Sequence, residues 1–559
     1  MEQPGAATPR TDRSAGVALA AILALLAAWG SRFIFATSFL VGRRRVFCLF
    51  DDAMITMTYA RNLLAGRGLR WSSLGDPVEG YTHPLWLAVM LPANLPEIAP
   101  RVRSLVVQAV SLAVLLALVW AVQHLVRARF SNRASWAWLA AAVPTAFYYP
   151  LNYWALMGLE SALVALLAVI AVDLALAITD GEDRLMALWI VCAAAWLLRL
   201  DLALLVVAVQ CWVIAGRLAA PWFWRRWARG AVIFLVTASA YTFFRAVYFH
   251  DLLPNTYYLK LTGVPLDVRL WRGAASLALF ARQHVLLLVG LAAAVIAGRR
   301  DRRLWLPAVI VSVYLAYDLW IGGDAWELSE YSVDVRANRF LAPFVPLLFV
   351  LVAALAERAW TRGRATTAEP RTIPVWAAAC LALILIAVSN GFGFGAHGQA
   401  RWKQWTLRSE PPNVGKHAGI ARRLEGLKRF ARPGATVATA WAGIPAFFSD
   451  YRMIDILGYN DRQVARLPSA VPLDRAHWHD FVPGHVKWDE NRLLKEQRPD
   501  AFFQVWGVRR AGGAELLSSN GYRQVKRFWL RADSAFLTPA AAAAMREAPR
   551  QLAKAHLDR

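Results

Sequence analysis

Two adjacent carboxylates, Asp51 and Asp52, open a stretch (49–86, LFDDAMITMTYARNLLAGRGLRWSSLGDPVEGYTHPLW) that is far more polar than its surroundings. Burial and mutual repulsion both disfavour two neighbouring negative charges at the edge of a membrane-buried region. The pair therefore indicates a compensating role: a catalytic base, a metal ligand, or the partner of a cation. The alternative is a solvated loop that carries two acids, which is the more frequent case for an isolated Asp-Asp pair.

The composition is that of a polytopic membrane protein. Of the 559 residues, 58% are hydrophobic and 18% are charged, which is less charge than soluble domains usually carry. The net charge of +24 does not indicate a nucleic-acid partner, because many of the arginines lie in short loops between apolar runs, where they report topology. Four cysteines without a CxxC spacing argue against a disulfide framework or a zinc site.

Recurring apolar runs of about twenty residues predict about eleven transmembrane helices. The first run (17–41) contains Arg32 and is interpreted as a retained signal anchor. The others are predicted near 104–126, 134–150, 159–179, 185–216 (two short spans hinged at 198–201), 230–249, 276–298, 304–321, 339–357 and 373–392. The segment 85–95 is too short to span and is interpreted as a helix at the membrane surface.

Arginine placement predicts the orientation. With a cytoplasmic N-terminus, four of the five cytoplasmic loops are rich in Arg, as the positive-inside rule requires. Arg43–Arg45 is the exception, and these side chains are candidates for contact with lipid headgroups or a phosphate. The odd number of spans places the C-terminal part in the periplasm.

The predicted organisation has four parts. They are a cytoplasmic leader (1–16), a transmembrane domain (17–392) with a first periplasmic loop (42–103), a periplasmic α/β domain (393–535) and a tail (536–559). Within the α/β domain, apolar alternation predicts strands in 434–443, 451–459 and 500–507. Helical spacing predicts an amphipathic helix over 414–432.

The polar, unusual loops all fall on the predicted outer side. They are 51–56, 79–84, 152–161, 199–201, 250–260 and 322–327. Loops far apart in sequence that share one membrane face are able to build one cavity, which predicts a single outward-facing site.

The same segments resemble motifs of the GT-C superfamily of membrane glycosyltransferases. More narrowly, they resemble the mycobacterial terminal β-(1→2)-arabinofuranosyltransferase and its bacterial relatives. In chain order the motifs are the acidic pair, RNLLAGRGLRW (61–71), VEGYTHPLW (78–86), WALMGLES (154–161), LRLD (198–201), DLLPNTYY (251–258), GGD (322–324) with RFL (339–341) and Pro343, IDILGYND (454–461) and PGHVK (483–487). Leu200 stands where the family has proline.

The resemblance implies a polyprenyl-phosphate-linked sugar donor, with decaprenylphosphoryl arabinofuranose as the specific expectation. It also implies a periplasmic active site in a bacterial inner membrane and an envelope glycan, glycolipid or protein as acceptor. An acid of the first outer loop acts as the base in such enzymes, which assigns this role to Asp51 or Asp52. Asp51 is favoured by analogy.

Other residues of the resembling segments supply the remaining candidates. The leaving phosphate needs cationic or hydrogen-bond donors, and the candidates are Arg199, Arg245, Lys260, Arg339, His485 and Lys487. Candidates for sugar or acceptor binding are Glu79, Tyr81, Thr82, His83, Glu160, Asn255, Tyr257 and Asp324. The alternative for each is an anchor at a helix end or a member of the interfacial aromatic belt.

Three alternatives stay open at this stage. A divalent cation held by Asp51, Asp52 and Asp324 would suit Mg²⁺ or Ca²⁺, although a donor without a diphosphate makes a metal less necessary. A transporter or flippase of a lipid-linked sugar would show polar residues through the span centres or paired interrupted helices. A non-catalytic scaffold would keep the fold and bind a glycan.

Overall fold

The computed structural model describes residues 9–220, 223–328, 338–362, 372–506 and 513–547. The predicted leader (1–16), the predicted tail (536–559) and the predicted cytoplasmic loops 217–229 and 358–372 therefore lie partly outside the described residues.

Helices make up most of the chain. They are α1 (Pro9–Ala36), α2 (Asp51–Leu64), α3 (Pro84–Met90), α4 (Arg103–Leu125), α5 (Leu139–Ala146), α6 (Tyr149–Leu156), α7 (Ser161–Asp180), α8 (Leu185–Leu198), α9 (Ala203–Arg217), α10 (Phe223–Tyr248), α11 (Asn255–Leu261), α12 (Leu266–Ala297), α13 (Trp305–Ile321), α14 (Val345–Arg362), α15 (Val375–Ser389), α16 (Ala396–Trp405), α17 (Val414–Leu427), α18 (Ile444–Phe447), α19 (Arg462–Arg466), α20 (Gly513–Ser519) and α21 (Pro539–Glu547). The strands are β1 (Phe39–Val41), β2 (Arg44–Val46), β3 (Thr436–Thr439), β4 (Arg452–Asp455), β5 (Ala501–Phe502), β6 (Tyr522–Val525) and β7 (Phe528–Arg531).

Eight helices of the described residues are long and apolar enough to cross a membrane. They are Arg13–Ala36, Pro100–Phe130, Ser161–Asp180, Leu200–Arg217, Phe223–Tyr248, Leu266–Ala297, Arg302–Ile321 and Ala342–Arg362. The apolar helices α8 and α15 are shorter. By length and composition the chain is thus a multi-pass helical membrane protein.

The predicted span at 134–150 is wrong. This region forms α5 and α6, which have eight residues each, with Pro144 inside α5. Eight residues of α-helix rise only about 12 Å, too little for a hydrocarbon core of about 30 Å. Both helices are almost wholly buried in protein.

The first predicted span (17–41) is too long at its C-terminal end. The helix ends at Ala36, and residues 39–41 form β1, which pairs antiparallel with β2. The Arg43–Arg45 segment therefore lies on a hairpin. Arg32 inside the span donates a hydrogen bond to the carbonyl of Leu407 (3.3 Å), which gives this charged side chain a polar partner.

The chain folds into two compact units. Unit 1 contains Met1–Ala36, Gln108–Tyr241 and Leu270–Pro411, and unit 2 contains Thr37–Val107, Thr242–Arg269 and Pro412–Arg559. Unit 2 thus joins the first polar loop and the segment around α11 to the C-terminal sheet. This division differs from a boundary at 392/393, since 393–411 groups with unit 1.

The C-terminal part of unit 2 is an α/β structure. Its five-stranded sheet has the order β4-β3-β5-β7-β6, with β3 parallel to β4 and β5, and β7 antiparallel to β5 and β6. β3, β4, β5 and α17 confirm the predicted strands and helix, whereas β6 and β7 were not predicted. Ala438, Ile454, Phe502, Tyr522 and Trp529 contribute to its core. The loops after β3 and β4 meet at one sheet edge, because parallel strands share their carboxyl ends.

Candidate functional site

Asp51 is held in the first turn of α2 by the loop that follows β3. Its Oδ1 accepts a hydrogen bond from the backbone N–H of Ile444 (2.7 Å), and its Oδ2 accepts one from Gly443 (3.1 Å). A side chain at Gly443 would collide with the backbone carbonyl of Asp51, so this approach requires glycine. The Asp51 side chain is buried, whereas Asp52 is half-buried. The orientation of the Asp51 carboxyl group is therefore fixed.

The surroundings of Asp51 favour its protonated form. Burial raises the pKa of this carboxyl group to about 7, the hydrogen bond from Ile444 opposes the rise, and the charges of Asp52 and Asp455 add to it. Near neutral pH the side chain thus exchanges readily between a proton acceptor and an acid, as a general base requires.

Lys416 in α17 is a cation near this acid that sequence reasoning missed. Burial lowers the pKa of Lys416, and the charge of Asp51 opposes that shift. Its Nζ lies 4.5 Å from the ring centroid of Trp441. Lys416 belongs to the predicted amphipathic helix, where a charged residue reads as part of the solvated face, and no local signal places it beside residue 51.

Asp455 shapes the turn after β4. Its Oδ1 accepts hydrogen bonds from the backbone N–H groups of Leu457 (3.0 Å) and Gly458 (3.1 Å), and its Oδ2 accepts from the backbone N–H of Asn460 (2.8 Å). Burial raises the pKa of Asp455 to about 6, although the hydrogen bonds from Asn460 oppose it. The IDILGYND motif is thus a turn built on its own carboxylate.

Two other motifs contact the same turn. Asn255, from DLLPNTYY, donates to the carbonyls of Gly458 (2.8 Å) and Tyr459 (3.0 Å). The Tyr59 hydroxyl in α2 lies 3.0 Å from Oδ1 of Asn460. The predicted sugar ligand Asn255 therefore has a structural partner, and it ties α11 to the turn.

Lys487, a predicted phosphate ligand, is fully buried and engaged. Its Nζ donates to the carbonyls of Tyr258 (2.9 Å), Thr262 (2.8 Å) and Ala465 (2.8 Å). An ammonium group has three donors, so all of them have acceptors within the protein. Lys487 joins the end of α11 to α19 in this structure.

Arg245 and Glu79 form a buried ion pair in unit 2. Arg245 Nε donates to Glu79 Oε2 (2.5 Å), and Nη1 donates to the carbonyl of Leu252 (3.2 Å). The two side chains are 2% and 1% exposed. A predicted phosphate ligand and a predicted sugar ligand thus bind each other.

Lys260 and His485 lie around one aromatic ring. Lys260 Nζ is 5.8 Å from the ring centroid of Tyr459, and the His485 ring lies 6.0 Å from it and 5.9 Å from Trp506. Gly484 has φ +85°, and a side chain there would collide with the Tyr459 hydroxyl. We name Lys260, Tyr459, Gly484, His485 and Trp506 the Tyr459 cluster. Lys260 and His485 are both half-buried.

The remaining sugar-binding candidates of unit 2 differ in exposure. Tyr81 is 3% exposed and packs among aromatic rings. The His83 ring forms hydrogen bonds with the hydroxyls of Thr56 (2.8 Å) and Thr82 (3.2 Å). Tyr257 is 41% exposed, so it is the aromatic candidate most open to a ligand among these.

In unit 1, Arg199 is engaged by two carboxylates. Its Nη2 lies 2.7 Å from Asp201 Oδ2, and its Nη1 lies 3.5 Å from Glu160 Oε1. Its guanidinium also lies 5.1 Å from the Phe340 ring centroid. The LRLD turn is thus closed by its own ion pair although Leu200 replaces the family's proline.

Arg339 and Asp324 form a second pair in unit 1. Arg339 Nε and Nη2 each lie 3.0 Å from Asp324 Oδ1, and the Arg339 backbone N–H donates to Oδ2 (2.9 Å). The guanidinium lies 5.6 Å from the ring centroid of Trp154. The GGD, RFL and WALMGLES motifs therefore meet here, and Asp324 is fully buried.

A polar network next to this pair was not predicted. Asn338 Nδ2 donates to Asp318 Oδ1 (2.8 Å) and Glu327 Oε2 (2.9 Å), and the Ser276 hydroxyl bonds both carboxyl groups. Burial raises the pKa of Glu327 to about 8, and the charge of Asp318 adds to the rise. Asp318 and Ser276 lie inside apolar helices, where no sequence motif marks them.

The metal alternative finds no support in this geometry. Within the residues that the structure describes, no group of three or more His, Cys, Asp or Glu side chains is placed to hold a metal ion. Asp324 is bonded to Arg339, and both oxygens of Asp51 accept backbone hydrogen bonds.

Residues 410–546 match a family described as "Domain of unknown function (DUF8728)". No curated protein matches the chain. Similar solved structures include the archaeal oligosaccharyltransferase AglB from Archaeoglobus fulgidus with an inhibitory peptide and a dolichol-phosphate (12% identity, TM-score 0.45, 78% of this chain and 64% of that chain). The apo form of the Archaeoglobus fulgidus oligosaccharyltransferase is another (12%, 0.43, 78% and 64%). The chain thus spans less than two thirds of their length.

Proposed function

We propose that this chain is a GT-C glycosyltransferase that transfers a sugar from a polyprenyl-phosphate donor to an acceptor hydroxyl on the periplasmic side of a bacterial inner membrane. The observation that carries the proposal is the fixed carboxyl group of Asp51 beside the half-buried Asp52. The shared order of the resembling sequence motifs supports it.

In the proposed reaction the acceptor oxygen bonds to the anomeric carbon as the bond from that carbon to the phosphate oxygen breaks. The phosphate leaves with the bonding electron pair, and a carboxylate takes the hydroxyl proton. A sugar hydroxyl is a weak nucleophile, so a positioned base accelerates the step. We assign this base to Asp51, because two backbone N–H groups fix its orientation. Asp52 contacts the acceptor or donor sugar.

The leaving phosphate gains negative charge and needs cationic or hydrogen-bond donors. Lys416 interacts electrostatically with Asp51, and Lys260 and His485 belong to the Tyr459 cluster. We assign the phosphate to these three side chains. Lys487, Arg245, Arg199 and Arg339 keep structural roles in this assignment, because carbonyls or carboxylates already hold them.

The finer specificity rests on the sequence resemblance. It favours arabinofuranose as the sugar, decaprenyl phosphate as the carrier, and a cell-envelope glycan, glycolipid or protein as the acceptor. The cytoplasmic N-terminus and the periplasmic C-terminal domain rest on the arginine distribution.

One observation favours the transporter or flippase alternative. Asp318 is a carboxyl group within a candidate span, hydrogen-bonded to Ser276 in another, and intramembrane acids often mark transport pathways. A flippase would move the lipid-linked sugar across a vesicle bilayer without consuming it. A scaffold would bind glycan without either activity.

The test is sugar transfer by the purified chain in detergent, with synthetic polyprenylphosphoryl arabinofuranose and a short glycan acceptor. Asp51→Asn is expected to lower kcat by about 10²–10⁴-fold, while Asp52→Asn raises KM. Asp76→Asn is the matched control, because Asp76 is an exposed acid of the same loop. Full activity in Asp51→Asn would show that Asp51 is not the base. Donor binding without turnover by the wild type would favour the scaffold.

A further inference from the structure

A basic β-hairpin follows the first candidate membrane span, and the proposed sugar transfer gives it no role. β1 and β2 pair in register up to Val41↔Arg44, which leaves Gly42 and Arg43 as a two-residue turn. Gly42 has φ +59°, the conformation that the first position of a type II′ turn requires and that glycine adopts readily. We name β1, β2 and this turn the basic hairpin.

Two arginine side chains of the basic hairpin are available to a ligand. Arg43 and Arg44 are exposed, and neither has a hydrogen bond or an ion pair with the residues that the structure describes. Arg45 instead donates to the Ser38 hydroxyl (2.7 Å), which links β2 to the residue before β1. The stretch 37–50 contains no Asp or Glu, so no acid of this segment neutralises the two exposed charges.

The basic hairpin is fastened to the start of the next candidate span. The backbone N–H of Phe47, directly after β2, donates to the carbonyl of Arg101 (2.9 Å). Arg101 lies in the first turn of the span Pro100–Phe130, and its side chain is exposed and without a partner among the described residues. Glu97, also exposed, is the acid nearest to it in sequence. This end of the span thus adds a third cation to the segment.

Chain geometry places the basic hairpin near the membrane surface. The first candidate span ends at Ala36, three residues before β1, and three residues extend at most about 11 Å. The polar headgroup regions add roughly 10–15 Å to a hydrocarbon core of about 30 Å. A hairpin that adjoins the ends of two spans therefore lies within reach of lipid headgroups.

Apolar side chains next to the arginines are exposed as well. The last turn of α1 leaves 58% of Phe35 exposed, and β1 leaves 50% of Leu40 exposed. Exposed apolar side chains beside arginines are typical of a segment that inserts shallowly into a bilayer, with its guanidinium groups at the level of the phosphates. A soluble polyanion would offer no apolar phase for these two side chains, so the composition favours a lipid surface.

Topology does not explain these arginines. In the proposed orientation the basic hairpin lies on the outer side, whereas the positive-inside rule accounts for arginines in cytoplasmic loops. Arginines on the outer side need another favourable interaction, and phosphate oxygens are good acceptors for a guanidinium. A cluster of basic residues next to a span is also the pattern that attracts anionic lipids.

We propose that the basic hairpin binds the headgroups of anionic phospholipids through Arg43, Arg44 and Arg101. Because α2 begins at Asp51, five residues after β2 ends at Val46, such binding would hold the segment that leads into α2 close to the bilayer surface. The surface does not depend on the proposed sugar transfer, since it rests on the ends of two spans and on contacts within unit 2.

The test is fluorescence quenching of the full chain in vesicles. A bimane fluorophore is attached at Leu40→Cys, after Cys211→Ser and Cys380→Ser remove the exposed cysteines. The vesicles contain phosphatidylcholine with a minority of phosphatidylglycerol, and one or the other lipid carries bromine atoms, which quench at short range. We expect quenching per brominated phosphatidylglycerol molecule to exceed that per brominated phosphatidylcholine by about fivefold or more.

Arg43→Gln combined with Arg44→Gln is expected to remove most of this preference. Arg523→Gln combined with Arg527→Gln is the matched control, because it removes two exposed arginines from the hairpin of β6 and β7, which adjoins no candidate span of the described residues in sequence. Both double variants are expected to keep the thermal stability of the wild type, since the substituted side chains have no described partners. A lost preference is therefore distinguishable from misfolding.

Three results would overturn the proposal. Equal quenching by the two brominated lipids would place the basic hairpin at the bilayer without selectivity for anionic headgroups. A preference that persists in the Arg43 and Arg44 double variant would assign it to other residues. Absence of quenching by either lipid, with protection of the label by dextran sulfate, would assign the arginines to a soluble polyanion instead.

Discussion

Two carboxyl groups of unit 2, those of Asp51 and Asp455, are held differently from two of unit 1, those of Asp324 and Asp201. In unit 2, the hydrogen bonds to Asp51 come from backbone N–H groups, and those to Asp455 come from backbone N–H groups and one amide. In unit 1, Asp324 and Asp201 instead bond the guanidinium groups of Arg339 and Arg199. A dipole orients a carboxylate without neutralising it, whereas an adjacent guanidinium removes most of its capacity to accept a proton.

Proton transfer is more readily supported where backbone dipoles hold the carboxylate than where a guanidinium pairs with it. Asp51 has a raised pKa and a fixed orientation, which are the properties of a base. The charge of Asp324 is neutralised by Arg339, so a structural role is the simpler interpretation of these two motif residues. The contrast does not extend to every buried carboxyl group. Glu79 of unit 2 pairs with Arg245, and Asp318 and Glu327 of unit 1 are hydrogen-bonded by Ser276 and Asn338.

The ion pairs of both units are expected to be structural. Arg245→Ala leaves the buried Glu79 without its cation, and Arg199→Ala does the same to Glu160 and Asp201. Removing one partner of a buried pair costs about 3–5 kcal/mol. Both variants are therefore expected to unfold at clearly lower temperature in detergent.

Arg498→Ala is the control for these two variants, since its pair with Asp533 is more than half exposed and such pairs contribute little. If Arg245→Ala kept its thermal stability but lost donor binding, Arg245 would contact the donor phosphate and the contrast would weaken.

The pH dependence of transfer tests the Asp51 assignment. A base with pKa about 7 is protonated at lower pH, so kcat/KM is expected to rise with pH and to level off above that value. At pH 5 the rate would be about a hundredfold lower.

The contribution of Asp51 to the stability of the folded state changes with pH in the opposite direction. The folded state binds this proton more tightly than the unfolded chain, whose Asp pKa is about 3.9, so this contribution is lost as pH rises from about 4 through about 7.

Rate measurements from pH 5 to 9 on wild type and Asp52→Asn check this limb. If Asp51 is the titrating group, the rise of kcat/KM with pH is still present in Asp52→Asn. Its midpoint then lies slightly lower than in the wild type, because a neighbouring negative charge is lost. A flat profile would indicate that Asp51 does not accept the proton.

Much of the fold was readable from sequence because its signals are local. The amphipathic spacing of 414–432 predicts α17, and the apolar alternation of 451–459 predicts β4. The span at 134–150 failed because apolar length cannot distinguish a helix in lipid from short helices buried in protein, and here Pro144 and Pro150 accompany the break.

The contacts of the candidate site residues could not be predicted from the sequence. Nothing near Lys487 in sequence indicates that its ammonium group contacts three carbonyls, and nothing near residue 51 indicates Gly443 or Lys416. These contacts depend on long-range folding. A cationic residue in a motif-like segment therefore identifies a candidate, and its contacts in the structure decide which role is assigned to it.

Substitutions of two lysines of unit 2 are expected to have different effects. Lys416→Gln removes a cation that interacts with Asp51 and is expected to lower kcat/KM by about tenfold, with little change in thermal stability. Lys487→Gln breaks the carbonyl contacts and is expected to lower thermal stability, with the donor KM of the folded fraction unchanged. The reverse pattern would indicate that Lys487, and not Lys416, contacts the donor phosphate.

The smallest effect concerns Leu200, where the family has proline. Arg199 has φ −159° and ψ 136°, the extended conformation that a residue before proline prefers. Leu200 begins a 3₁₀ turn, whose φ is close to the value that proline fixes. Leu200→Pro is therefore expected to be tolerated and to raise stability by at most about 1 kcal/mol through the unfolded chain. Ala208→Pro, in the interior of α9, is the control and should destabilise. A loss of the folded protein in Leu200→Pro would show that the Arg199–Asp201 pair needs a backbone geometry that differs from the family's turn.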